Sequence, residues 1–108
     1  MAKKPEQKNV DDRCSEPALL ILISLADGPK HGYAMTQDIE AVSGHRLGPG
    51  TLYGAIQWLE DKGWIQPLEA EDRRRPYELT DAGRAALRAR MAHFRAVLKV
   101  GQSRLSEA

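Results

Sequence analysis

The chain has 108 residues and a single cysteine, Cys14. One thiol excludes an internal disulfide and any cysteine-rich zinc site, and it fits a reducing cytoplasm. Aromatic residues are few, with phenylalanine present once. Long hydrophobic runs are missing too: the longest, residues 18–26, is too short to cross a bilayer, so no membrane partner is expected. The opening "MAKKPEQKNVDDR" lacks the apolar core of a signal peptide and reads as a disordered arm over residues 1–14. Charge of one sign is not in excess either. A formal net charge of +1 gives no bulk argument for nucleic acid, so any such argument rests on where the charges sit. The length suffices for one domain and one core and leaves little room for a deep enzyme pocket.

Catalytic patterns are also absent. His31, His45 and His93 are far apart, and there is no H-x-x-x-H pair, nucleophile elbow or phosphate loop. Asp38 with Glu40, and Glu60 with Asp61, diverge around their helices and read as surface charges. The expectation is a protein that is not an enzyme and needs no cofactor or metal.

What is present is a sequence of elements. In "SEPALLILISLADGPKHGY", Ser15 suits a helix N-cap, Glu16 and Pro17 its first turn, and Gly28-Pro29 its stop. Its apolar residues cover almost the full circumference, so burial on more than one side is expected, with a second subunit as one cover. "HGYAMTQDIEAVSG" gives a second helix with Met35, Ile39 and Val42 as its buried stripe and Gly44 as its end. Gly48 and Pro49 open a third helix that runs to about Lys62 and ends at Gly63. "WIQPLEA" and "PYELT" read as short strands around the charged loop "EDRRR", with Pro67 confining the first to an edge. Thr80 then caps a last helix running towards Leu105.

The third helix poses a question. In "LGPGTLYGAIQWLEDKGWI", Gly50 and Gly54 lie inside a helix, where glycine costs roughly 1 kcal/mol relative to alanine. At about 100° per residue, Leu52, Ala55, Ile56 and Leu59 form a core stripe. Gly50, Gly54, Gln57 and Asp61 fall opposite, flanked by Thr51, Tyr53 and Trp58. Outward glycines serve either a helix crossing within the protein or close backbone approach to another surface. A helix entering the DNA major groove by its N-terminus would use the second option. Gln57 can then read an adenine edge, Thr51 a thymine methyl or a base acceptor, and Tyr53 a phosphate.

The loop favours the second option. Arg73, Arg74 and Arg75 sit at the hairpin tip, although Glu69, Glu71 and Asp72 partly neutralise them. Arginines on a projecting loop suit phosphate or a narrow minor groove. The fold expected is mainly α with a small β-hairpin: a winged helix-turn-helix over residues 15–80 and one long helix over 81–108.

At these residues the chain resembles the PadR family of winged-helix transcriptional regulators. "GPKHGY", "GTLY" and "LTDAGR" are the specific blocks, and the likeness covers residues 19–87. The resemblance implies a homodimeric repressor on a roughly palindromic operator of double-stranded DNA. It implies that His31, Gly32 and Tyr33 open the second helix near phosphate, that Thr51 and Tyr53 begin the recognition helix, and that Arg73 to Arg75 form the wing tip. The chain departs from the family in Gly48, where serine is frequent, and in Trp58, where a basic residue is frequent. Many members continue into a multi-helix C-terminal domain. A single helix, as here, marks the short branch that includes multidrug-sensing regulators.

Leu87, Met91, Phe94, Leu98 and Leu105 are spaced by four, three, four and seven, an a/d seam that wants a partner helix. A dimer through this helix and the first, with Leu19 and Leu22, is expected. Arg84, Arg88, Arg90, Arg95, Lys99 and Arg104 decorate its other faces as a solvated surface. Family analogy places a small-molecule effector at the dimer interface, but Phe94 and Met91 read as dimer core and specify none. A winged-helix module for protein interaction, without sequence-specific DNA binding, is the alternative that the near-neutral charge leaves open.

Overall fold

The computed structural model describes residues 14–107, and the arm expected over residues 1–14, with Lys3, Lys4 and Lys8, lies outside them except for Cys14. Four helices and one hairpin follow in order: α1 (Glu16–Leu25), α2 (Gly32–Ser43), α3 (Pro49–Asp61), β1 (Ile65–Pro67), β2 (Tyr77–Leu79) and α4 (Asp81–Glu107).

Each boundary has a chemical cause. The Ser15 hydroxyl accepts from the Ala18 N–H at 3.3 Å, and Pro17 occupies the first turn of α1. Gly44 ends α2 in the left-handed conformation, at φ 80°. The end of α3 satisfies its last carbonyls twice: Gly63 N–H donates to Glu60 C=O at 2.9 Å, and Trp64 N–H to Leu59 C=O at 3.0 Å. Gly63 makes this possible at φ 78°, and the turn delivers Ile65 into β1.

The core is built by Ala18, Ile21, Leu22 and Leu25 of α1, Met35 and Ile39 of α2, Leu52, Ile56 and Leu59 of α3, Ile65 of β1 and Leu87 of α4. Helix α1 is central and packs against every other helix and against β2. That packing corrects two expectations. Leu22 is buried in its own subunit at 1% exposure, so it belongs to the core and cannot reach a partner. Leu87, at 8%, also turns inward; the exposed seam of α4 begins at Met91. A third correction concerns Val42, which is 64% exposed because α2 leaves the core after Ile39. Leu19 is half-buried.

The antiparallel hairpin pairs Ile65 with Leu79, Gln66 with Glu78 and Pro67 with Tyr77. Lys30 joins it from the α1–α2 connection: its N–H donates to Tyr77 C=O at 3.1 Å, and Tyr77 N–H donates to Lys30 C=O at 3.0 Å. The Lys30 ammonium reaches the Ser24 carbonyl and the Asp27 carboxylate, both at 2.5 Å. That ammonium holds the Asp27 carboxyl below its ordinary range, through a hydrogen bond first and its charge second.

Thr80 sets the course of α4. Its hydroxyl donates to Gly63 C=O at 2.6 Å and accepts from Gly83 N–H at 3.0 Å, while Thr80 N–H donates to Trp64 C=O at 3.0 Å. Gly83 is buried, and a Cβ built there collides with the Trp64 carbonyl, which is backbone and cannot step aside. The glycine of the "LTDAGR" block is therefore steric. Gly83→Ala is expected to destabilise the fold by about 3 kcal/mol, the upper end for overpacking, measured as a lower urea midpoint at unchanged m-value.

Candidate nucleic-acid interface

Two helix N-termini meet on one face. Gly32 and Tyr33 of α2, with Gly48 and Pro49 at the start of α3, flank a groove of about 410 Å³ whose other walls include Thr36, Arg46, Leu52 and Tyr53. Beside it a second cavity of about 310 Å³ is lined by His31, Gly32, Tyr33, Tyr53, Tyr77, Arg73, Arg74 and Arg75. The fold thus gathers the expected residues of three separate segments within contact of one another. Gly50, Thr51 and Gln57 lie along the exposed flank of α3 and line neither hollow.

Tyr53 ties the two helices. A Cβ at Gly32 would lie 2.5 Å from the Tyr53 hydroxyl, so the glycine lets that ring rest on the first turn of α2. Tyr33 and Tyr53 remain 58% and 55% exposed. The Tyr33 hydroxyl accepts from Gln37 Nε2 at 3.2 Å and keeps its own proton to donate. Burial, and then the negative charge of Glu60, push the Tyr77 phenol up, so it stays a neutral donor at physiological pH.

His31 and Arg74 form the most telling pair. His31 caps α2, its Nδ1 accepting from Ala34 N–H at 3.4 Å. A neutral imidazole has one acceptor nitrogen, so Nε2 then carries the proton. Arg74 Nη1 stands 3.4 Å from that Nε2. Two N–H donors therefore face a common space, and an anionic oxygen placed between them would satisfy both.

The three wing arginines are not equivalent. Glu71 and Arg74 exchange backbone hydrogen bonds at 2.7 and 2.9 Å, which makes Asp72 and Arg73 the turn itself. Asp72 accepts the left-handed φ of 59° that this turn requires, as aspartate does more readily than most residues. Arg73 projects from the tip, Arg74 leans on His31, and Arg75 donates to Leu68 C=O at 2.7 Å, bracing the hairpin.

Helix α3 offers its backbone. Gly48 caps it without a side-chain hydrogen bond, so the first N–H groups lack the partner that a serine would supply. A Cβ at Gly50 or Gly54 meets nothing within 4 Å, so neither glycine serves a helix crossing within the chain. Gln57 is engaged, donating to Asp61 at 2.9 Å along the helix. Trp58 turns inward and packs edge-on against Trp64, ring centroids 5.7 Å apart, with the Lys62 ammonium 5.5 Å from its ring.

Sequence reasoning missed three contributors. Lys30 carries the wing through backbone bonds, which no side-chain pattern announces. Arg46 lines the groove and pairs with Glu40 at 2.8 Å; a cation just before Gly48-Pro49 was the available signal. Tyr77, within the strand expected at "PYELT", is half-buried and also lines the arginine cavity, a role that its place in a strand does not announce.

The family model described as the transcriptional regulator PadR-like family matches residues 21–89, most of the described chain. The chain belongs to this family. It is 42% identical over 72 residues to the transcriptional regulator Rv3488 of Mycobacterium tuberculosis, covering 64% of this chain and 66% of that one. It is 55% identical over 86 residues to a 37.1 kDa protein in transposon TN4556 of Streptomyces fradiae, covering 80% of this chain and 25% of that one. The chain thus spans a quarter of one curated relative and just under two thirds of the other. A PadR family regulator of Clostridium difficile superposes with a TM-score of 0.77 at 25% identity, over 84% of this chain and 99% of that one. One from Eggerthella lenta gives 0.69 at 30%, over 84% and 81%. The fold is accordingly the winged helix of PadR-like regulators, a family of transcription factors and not of enzymes.

Because Gly50 and Gly54 meet open space, filling them costs the monomer nothing. Gly54→Ala is expected to stabilise the chain by about 0.5–1 kcal/mol, read as a higher urea midpoint.

Proposed function

We propose that this PadR-like chain is a DNA-binding transcription regulator that acts as a homodimer on a palindromic operator, as a repressor. The observation that carries the reading is the convergence of donors on one face. The N-termini of α2 and α3, the His31–Arg74 pair and Arg73 at the wing tip all present N–H groups to the same side. A phosphate backbone is the polymer that uses such a face. In this reading α3 enters the major groove by its first turns, with Gly50 and Gly54 letting its backbone close on the duplex. Thr51 meets base edges there, Gln57 joins them after leaving Asp61, and Arg73 reaches the flanking minor groove or backbone. Tyr33 and Tyr53 donate to phosphates. Asp61, at the far end of the helix, limits insertion to the first turns.

The dimer follows from α4. Beyond Met91, Phe94, Val97, Leu98, Val100 and Leu105 are all exposed. A helix with such a face does not stay unpaired in water. Two recognition helices held by one dimer would read two half-sites related by the molecular two-fold. A small-molecule effector between the subunits would act by altering that spacing, and the exposed side chains of α4 leave its chemistry unspecified.

Two substitutions separate this reading from a module that binds protein alone. Replacing Arg73 and Arg74 by alanine should weaken binding to DNA from upstream of its own gene. The slope of log affinity against log salt should fall by about 0.9 for each phosphate contact removed. Gly54→Ala should weaken the same binding by at least about tenfold while stabilising the fold, since one methyl group separates backbone from duplex. Unchanged affinity and salt slope in the double arginine variant would contradict the wing's role.

A further inference from the structure

The outward flank of α3 holds few side chains that can address a base. Gly50 and Gly54 offer none, and Thr51 is short. Gln57, exposed, carries the one side-chain amide of the helix, and that amide is already held. Its Nε2 donates to Asp61 Oδ1 at 2.9 Å, one turn further along. Pairs of this kind support a helix modestly. Asp61 is nevertheless badly placed for that purpose, because it is the last residue of α3, where the helix dipole disfavours a carboxylate. Like the outward glycines, it opposes the helix that carries it.

The carboxylate does something that helix support does not require. It only accepts, so it decides which end of the amide turns toward it. The nitrogen faces Asp61, and the carbonyl Oε1 faces away. Turning the amide over sets Oε1 against a carboxylate oxygen, two acceptors with no proton between them. Asp61 thus removes one of the two orientations that a free glutamine adopts with equal ease. When Gln57 swings from Asp61 to a base, the charge still stands one turn behind it, and the turned-over amide stays disfavoured.

That asymmetry matters because the major groove reads it. Adenine presents the N7 acceptor beside the N6 donor, whereas guanine presents two acceptors, N7 and O6. An amide with Nε2 to donate and Oε1 to accept matches adenine at both atoms. At guanine, O6 meets Oε1 unless the amide turns over, and Asp61 opposes that turn. The carboxylate also repels both guanine acceptors directly.

We infer that Asp61 is a positioning residue for base recognition: its carboxylate fixes the Gln57 amide for adenine and excludes guanine at the base that Gln57 meets. The inference rests on the DNA reading proposed above and deepens it, naming the base selected and the residue that enforces the choice.

The test is selection of binding sites from a randomised duplex library by the full chain, followed by affinities for the selected site and its adenine-to-guanine variant. Gln57→Ala identifies the position that Gln57 meets, as the one where base preference disappears. There the parent should favour adenine over guanine by at least about tenfold, the order of one bidentate contact. Asp61→Asn is nearly isosteric and keeps an acceptor, but its own amide can pair with Gln57 in either orientation, so the ratio should fall to about threefold or less. Asp61→Glu, again an acceptor only, should keep the preference. Loss of the charge also tightens binding to every duplex, so the ratio decides and not the affinity. An unchanged ratio in Asp61→Asn, or guanine chosen by the parent at that position, overturns the inference. A Gln57→Ala selection identical to the parent's overturns it too, while sequence-specific binding by the rest of the face stands. A parent that selects no sequence overturns the operator reading and this inference with it. Circular dichroism and urea midpoints close to the parent's show that a lost preference is not a lost fold.

Discussion

The paired backbone hydrogen bonds between Lys30 and Tyr77 are the constraint on which the candidate site depends. Each contributes only about 1 kcal/mol net, but their consequence is geometric. They fix the base of the wing to Lys30, two residues before the start of α2. His31 follows Lys30 directly, and Arg74 precedes Tyr77 by three residues, so the two bonds bring an imidazole and a guanidinium from distant segments to 3.4 Å. The Lys30 side chain adds a second anchor, because it holds a carbonyl near the end of α1 and the Asp27 carboxylate. The end of α1, the start of α2 and the aim of the wing thereby become one rigid corner. The Ser24 hydroxyl, donating to Asp38 at 2.6 Å inside the same corner, braces α1 against α2.

The glycines divide by what surrounds them. Gly63 is needed for its positive φ, Gly83 for the space of a carbonyl and Gly32 for the space of a tyrosine hydroxyl. Gly50 and Gly54 satisfy none of these needs, since their φ is helical and their surroundings are empty. A residue that costs helix stability and serves nothing inside the chain points to something outside it. This separates a fold requirement from a surface requirement by geometry alone, and in this chain the two kinds alternate along fewer than 55 positions.

The order of elements and nearly every helix boundary could be read from the sequence, because caps and stops are local chemistry: Ser15, Gly44, Gly48-Pro49, Gly63 and Thr80 each act within a few residues of themselves. What periodicity failed to tell was which partner covers an apolar position. Leu22 and Leu87 carry the same pattern as residues that face outward, and only the packing of α1 against the other helices turned them in. Val42 failed in the opposite sense: it continues the stripe of Met35 and Ile39, yet it stays exposed. At the site, the residue types were legible and their roles were not. Three consecutive arginines look alike in sequence, whereas a two-residue turn sends one outward, one to His31 and one back to Leu68.

Net charge misleads for the same reason that the arginine run does. A value near zero here is the sum of a cationic last helix and an anionic remainder, and each part faces a different task. On the face proposed to meet DNA, Glu69, Glu71 and Asp72 offset the wing arginines, so attraction there would come from directed N–H groups at short range more than from a diffuse field. Directed donors act only when the duplex already lies in register, which favours discrimination over capture. The diffuse charge sits on α4, where residues 82–106 hold six basic and no acidic side chains. A chain arranged in this way can be neutral overall and still be uneven in charge locally, because screening over about 8 Å at physiological salt keeps the far end of a 27-residue helix out of the field of the wing.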